Sequence, residues 1–75
     1  MIVPITFEHE DKLYSGHFNS VSGAGSGMWH LMIDNYYKGE LHYSGQSGQW
    51  LFTSNSGLFD ELSDYFKAYL IGWFG

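Results

Sequence analysis

From Ile2 to Ser54 the chain alternates apolar and polar residues in short runs. Each run closes on a turn signal: Glu10-Asp11, Ser22-Gly23-Ala24-Gly25-Ser26-Gly27, Asn35 to Gly39, and Gly45-Gln46-Ser47-Gly48. A period of two marks half-buried strands, and the spacing predicts them over 2–9, 12–21, 28–34, 40–45 and 49–54. After Ser54-Asn55-Ser56-Gly57 the apolar period lengthens to that of a helix. Over 58–73, Leu58, Phe59, Leu62, Tyr65, Phe66, Tyr69, Leu70 and Trp73 share an arc of roughly 140°, with Asp60, Glu61, Asp64, Lys67 and Ala68 opposite. Ser56 or Asn55 is positioned to cap the first turn, and Asp60 and Glu61 lie where the helix dipole favours acids.

Neighbouring strands must present apolar residues to the same face, which tests these assignments against one another. The inward set is Val3, Ile5, Phe7; Tyr14, Gly16, Phe18; Trp29, Leu31, Ile33; Leu41, Tyr43; and Trp50, Phe52. A tight turn at Glu10-Asp11 pairs Phe7 with Tyr14. Folding about Gly23-Ala24 pairs Phe18 with Trp29 and Tyr14 with Ile33. A short loop at Gln46-Ser47 pairs Tyr43 with Trp50 and Leu41 with Phe52. A bulge between Asn35 and Gly39 would shift the remaining register by one or two residues. One apolar sheet face and one apolar helix stripe bury each other, so the expected fold is α+β. It is a five-stranded antiparallel β-meander with one C-terminal amphipathic helix on its aromatic face, a single domain over 1–75. A strongly bent sheet approaching a small barrel, plugged by the helix, is the alternative. Gly16, inward in mid-strand, allows a bulge, a bend or close approach of the helix.

The outer face then carries Thr6, Glu8, Ser15, His17, Asn19, Met28, His30, Met32, Glu40, His42, Ser44, Gln49, Leu51 and Thr53. His17 falls opposite His30, with His42 opposite or diagonal to it. Imidazoles at cross-strand spacing could hold zinc, copper or nickel, with Glu8 or Glu40 nearby, and the three would also repel one another when charged below about pH 6. Half-exposed strands carry histidine without any ligand, so no cofactor or metal is assigned to His17, His30 and His42. His9 has the opposite parity and lies at a turn, which sets it outside that group. Met28, Met32 and Leu51 are adaptable apolar groups suited to a partner surface. Tyr36 and Tyr37 are expected at a loop tip. The ending, Tyr69 to Gly75, is strongly apolar, and Phe74 is left without a core position.

Composition narrows the function. There are eight acids, three lysines, no arginine and no cysteine, a net charge of −5 with the four histidines neutral. Disulfides and thiolate chemistry are excluded, and the acidic balance argues against nucleic acid and anionic membrane surfaces. The N-terminal residues lack a basic stretch leading into a long apolar run, and no run approaches about 18 apolar residues, so the expectation is a cytoplasmic protein without a membrane segment. No G-x-S-x-G elbow occurs, and the Gly23 to Gly27 stretch joins two strands rather than a strand and a phosphate-binding helix. The chain is therefore expected not to be an enzyme. It reads as a small protein-interaction module, acting by self-association or as an accessory module, through the His/Met face or the aromatic C-terminus. Carbohydrate or small-ligand binding by exposed rings is the alternative, and a three-histidine metal site the next.

Overall fold

The structure, a computed structural model, describes residues 1–21, 27–54 and 56–74. Five strands form one antiparallel sheet in sequence order: β1 (Ile2–His9), β2 (Lys12–Ser20), β3 (Met28–Ile33), β4 (Tyr36–Ser44) and β5 (Gln49–Thr53). A 3-10 turn (Asp60–Leu62) then leads into helix α1 (Ser63–Phe74), which packs on the sheet's aromatic face. The sheet is curled, and the fold is the α+β meander that the alternation implies.

Two hairpins close on two-residue turns with both central residues at positive φ, the primed geometry whose twist matches paired strands. These are Glu10-Asp11 (φ 51° and 65°) and Asp34-Asn35 (φ 53° and 67°). Asp and Asn tolerate this region because their short polar side chains bond locally. The first turn sets Phe7 against Tyr14, rings stacked at 5.5 Å, as expected. The second corrects the expectation of a loop from Asn35 to Gly39: strand β4 begins at Tyr36, and the irregularity lies inside it. Lys38 is skipped in the pairing between Leu31↔Gly39 and Met32↔Tyr37. Gly39 is required there because a Cβ would come within 2.6 Å of the Phe52 ring and 2.7 Å of the Thr53 carbonyl.

The β2–β3 register differs from expectation by two residues. Phe18 faces Leu31 rather than Trp29, and Ile33 faces Gly16 rather than Tyr14. An even shift keeps every side chain on its face. This register has room only for glycine at position 16, where a Cβ would lie 2.0 Å from the Met32 carbonyl oxygen. The missing side chain thus serves close approach of the neighbouring strand, not of the helix. The loop centre at Gly23-Ala24 lies outside the described residues. The β4–β5 pairs Leu41↔Phe52 and Tyr43↔Trp50 are as expected.

At the centre of the core Phe66 of α1 meets Phe7, Phe18 and Phe52 edge-on, with ring centroids at 5.2, 5.4 and 4.9 Å. The helical stripe is narrower than the sequence period implies. Phe59, Phe66 and Leu70 are buried and Leu62 and Tyr69 partly so, whereas Leu58, Tyr65 and Trp73 are exposed. The helix also begins five residues later than expected. Phe59 adopts a left-handed conformation (φ 71°), which ends any continuous helix there but turns its ring under Phe7 and Tyr14. Ser56 does not cap the helix, because its Oγ accepts the Leu58 N–H within this turn. Asn55, the other expected cap, lies outside the described residues.

The helix ties down both open edges of the sheet. Ser63 Oγ accepts the Phe52 N–H of β5 at 2.9 Å, and the Tyr69 hydroxyl donates to the Pro4 carbonyl of β1 at 2.5 Å. Pro4 also removes one donor from the β1 edge. Replacing Ser63 with alanine is expected to cost about 1 kcal/mol and to raise hydrogen exchange at the Phe52 amide above that of its β5 neighbours. Unchanged protection at Phe52 would show that the bond contributes nothing.

Candidate functional site

Three surfaces carry the residues singled out by the sequence. On the outer face the pairings place His17 opposite Pro4 and Met32, His30 opposite Asn19 and Glu40, and His42 opposite Met28 and Leu51. The expected His17–His30 opposition is therefore corrected to a diagonal, a consequence of the two-residue register shift. Diagonal neighbours stand about 7–8 Å apart. Among the described residues the three imidazoles do not form a group with ligand atoms within 4.8 Å of one another. Glu40 organises the middle of this face. It accepts a 3.2 Å hydrogen bond from the Tyr37 hydroxyl and approaches His42 Nδ1 at 3.8 Å. Tyr37 in turn lies edge-on to His30 at 5.0 Å. Partial burial, then the Glu40 bond and charge, push the Tyr37 hydroxyl above its ordinary pKa. Tyr37 is thus part of the face rather than a loop-tip knob, and Tyr36, also in β4, stands exposed at the sheet's end. Met28 and Met32 are half-buried and Leu51 exposed, on the same side.

The second surface comes from the segregation of charge. Residues 13–33, 41–59 and 68–75 contain no Asp, Glu, Lys or Arg. Because the meander reverses at every turn, parts of these stretches, around Ser20, Met28 and the 45–48 loop, meet the end of α1 at one end of the molecule, whereas Leu13, Ile33 and residues 56–59 lie at the other. The Tyr43 N–H bonds the Gly27 carbonyl there at 2.9 Å, joining the start of β3 to the end of β4. Phe74 packs on Trp29 at 5.5 Å, so the ring without a sequence assignment has a seat, though it stays about half exposed. Tyr43 meets Trp50 edge-on at 5.5 Å, and Trp73 stands beside Tyr69 at 6.4 Å. Tyr43, Ile71, Trp73 and Phe74 are all exposed. The acids gather at the opposite end, at the Glu10-Asp11 and Asp34-Asn35 turns and at the start of the helix.

At that acidic end a cleft of about 420 Å³ is lined by His9, Glu10, Ser56, Gly57, Leu58, Phe59 and Glu61. His9 closes β1, and its ring lies edge-on to Phe59 at 5.2 Å. Its Nε2 bonds the Glu61 carboxylate of the 3-10 turn. Sequence reasoning set His9 aside for its parity and its place beside a turn. That parity was itself the missed signal, because it puts His9 on the helix side of the sheet, with Phe7, where acids at the start of the helical segment can reach it.

No protein-family model, no curated protein and no solved structure matches this chain.

Proposed function

We propose that this chain is a small non-catalytic interaction module that self-associates end to end, two copies meeting at the aromatic end, where the described residues carry no charged side chain and the Met1 ammonium is bonded to Ser20 Oγ. The observation that carries this reading is the segregation of charge: exposed Tyr43, Trp73 and Phe74 occupy an end built from stretches without a charged side chain. A chain of net charge −5 resists its own copies unless the charges stay apart. The molecule measures 33 × 23 × 22 Å. Copies joined at the aromatic ends keep their acidic ends several Debye lengths apart, one length being about 8 Å in physiological salt. Pairing through sheet edges is hindered where Ser63 and Tyr69 occupy the Phe52 N–H and the Pro4 carbonyl and where Pro4 lacks a donor. The outer face is less suited, because Glu40, Tyr37 and His30 already contact one another there.

The 23 × 22 Å cross-section offers on the order of 400 Å² per copy, about half of a standard stable interface, so the dimer is weak. Sedimentation equilibrium between about 10 μM and 1 mM is expected to show a reversible monomer–dimer transition. Trp73→Ser and Tyr43→Ser, both at exposed rings, should each weaken it about tenfold or more, the effect of losing an aromatic anchor. A strict monomer over that range overturns the reading. Quenching of tryptophan fluorescence by a soluble glycan, with the chain still monomeric, would instead make this end a sugar-stacking surface, with Ser44, Gln46 and Gln49 as hydrogen-bonding neighbours.

A further inference from the structure

The cleft at the acidic end has a different chemistry from the aromatic end. His9, Glu10 and Glu61 each offer one ligand atom, and all of these atoms lie within 4.8 Å of one another. Ligands around a first-row cation, each about 2.0–2.2 Å from it, stand roughly 3–4 Å apart, so small side-chain rotations complete the set. The imidazole is held from behind by Phe59, and only 9% of the His9 side chain is exposed. Its Nε2 is the nitrogen that meets Glu61, while its Nδ1, like that of His42, is buried without a hydrogen-bond partner.

The surroundings favour a cation. Asp11 follows Glu10 in the same turn, and Asp60 precedes Glu61 in the 3-10 turn. Lys12, paired across from His9, is the base nearest in the register, and it makes no salt bridge among the described residues. Glu61 is mostly exposed, so the cleft opens to water, which can supply the remaining ligands. One imidazole and two carboxylates form a nitrogen–oxygen set suited to Zn²⁺, Co²⁺, Ni²⁺ or Mn²⁺, with no soft sulfur to favour Cu⁺.

We propose that His9, Glu10 and Glu61 bind one first-row divalent cation, with Zn²⁺ as its representative. The ion bridges the β1–β2 turn to the 3-10 turn before the helix, elements otherwise joined here by the His9–Glu61 bond and the Phe59 ring. The site is independent of self-association, because it lies at the end away from the aromatic surface.

Titration of the whole chain with ZnCl₂, followed by calorimetry and by imidazole NMR, tests this directly. The expected result is one equivalent bound, with the His9 resonances moving most and the unfolding temperature rising. Co²⁺ in place of zinc should produce visible absorption bands. His9→Ala could fail to fold, so the decisive variants are Glu61→Gln and Glu10→Gln at exposed positions. Each should weaken binding about tenfold or more while leaving the metal-free circular dichroism unchanged. His17→Gln with His30→Gln and His42→Gln should leave the zinc affinity as it is. No saturable binding overturns the proposal, as does binding that survives both glutamine variants or is lost in the triple-histidine variant.

Discussion

Phe66→Ala is expected to remove a large share of the stability of the fold. Phe66 has no solvent exposure and is the ring on which three strands converge, through Phe7, Phe18 and Phe52. Removing a buried phenylalanine costs about 3–5 kcal/mol, part transfer energy and part cavity. At about 0.05–0.15 kcal/mol per residue, a chain of this length has only about 4–11 kcal/mol in all. The cavity would open between helix and sheet, and α1 is held to the sheet chiefly by Phe66, Leu70 and the two edge bonds. Urea titration followed by near-ultraviolet circular dichroism measures the loss. Tyr65→Ala, one residue away but about half exposed, serves as the control and should cost less than about 1 kcal/mol. A Phe66 variant as stable as the Tyr65 variant would mean that the helix does not pack as described.

Gly16→Ala should be comparably damaging for a different reason. The added carbon would lie 2.0 Å from the Met32 carbonyl oxygen and 3.1 Å from Ile33 Cγ1. The first obstacle is backbone and cannot rotate away. β2 and β3 must separate locally, breaking ladder bonds around the Gly16↔Ile33 pair, or slip in register. A one-residue slip would turn Phe18 and Leu31 out of the core, so separation is the cheaper response. The cost is expected to reach about 3 kcal/mol, the upper range for overpacking, and hydrogen exchange should rise along β2 and β3 while β4 and β5 stay protected. Gly45→Ala, where a Cβ would meet nothing within 4 Å, should leave stability within about 0.5 kcal/mol. Wild-type stability for the Gly16 variant would count against the close β2–β3 approach.

The sheet was legible because each run states its own parity, and parity survives errors of register. The β2–β3 register is displaced by two residues from the pairing expected, yet Phe18, Trp29, Leu31 and Ile33 remain inside. What alternation does not carry is the distance between backbones. The close approach at Gly16 that this register requires is invisible until both strands are in place. The same holds for Lys38 and Gly39, whose bulge depends on Phe52 and Thr53 in the next strand. The start of the helix was misplaced because Phe59 satisfies the helical period while adopting a left-handed backbone. A periodic pattern reports that a ring is buried, not the local conformation that buries it. Among functional candidates, the outer-face residues were identifiable individually, but their neighbours depended on the register. The His9 cleft needed a contact between residues 52 positions apart. The aromatic end was present in the sequence as parts of three stretches without charged side chains, and only the reversing strand order brings those parts together.

That strand order has a consequence for how the molecule comes into being. Each strand pairs with the one made just before it, so every ladder closes across a short connection and little chain entropy is lost at each step. The β1–β2 hairpin can close without β4, and each further strand then finds a formed neighbour to pair with. Only the final step reaches far back, when Tyr69 meets Pro4 across 65 residues. Until that step the open sheet exposes its phenylalanines and both raw edges. The hazardous interval in folding is therefore the time before the helix docks, since the helix both covers the rings and bonds the two edge strands.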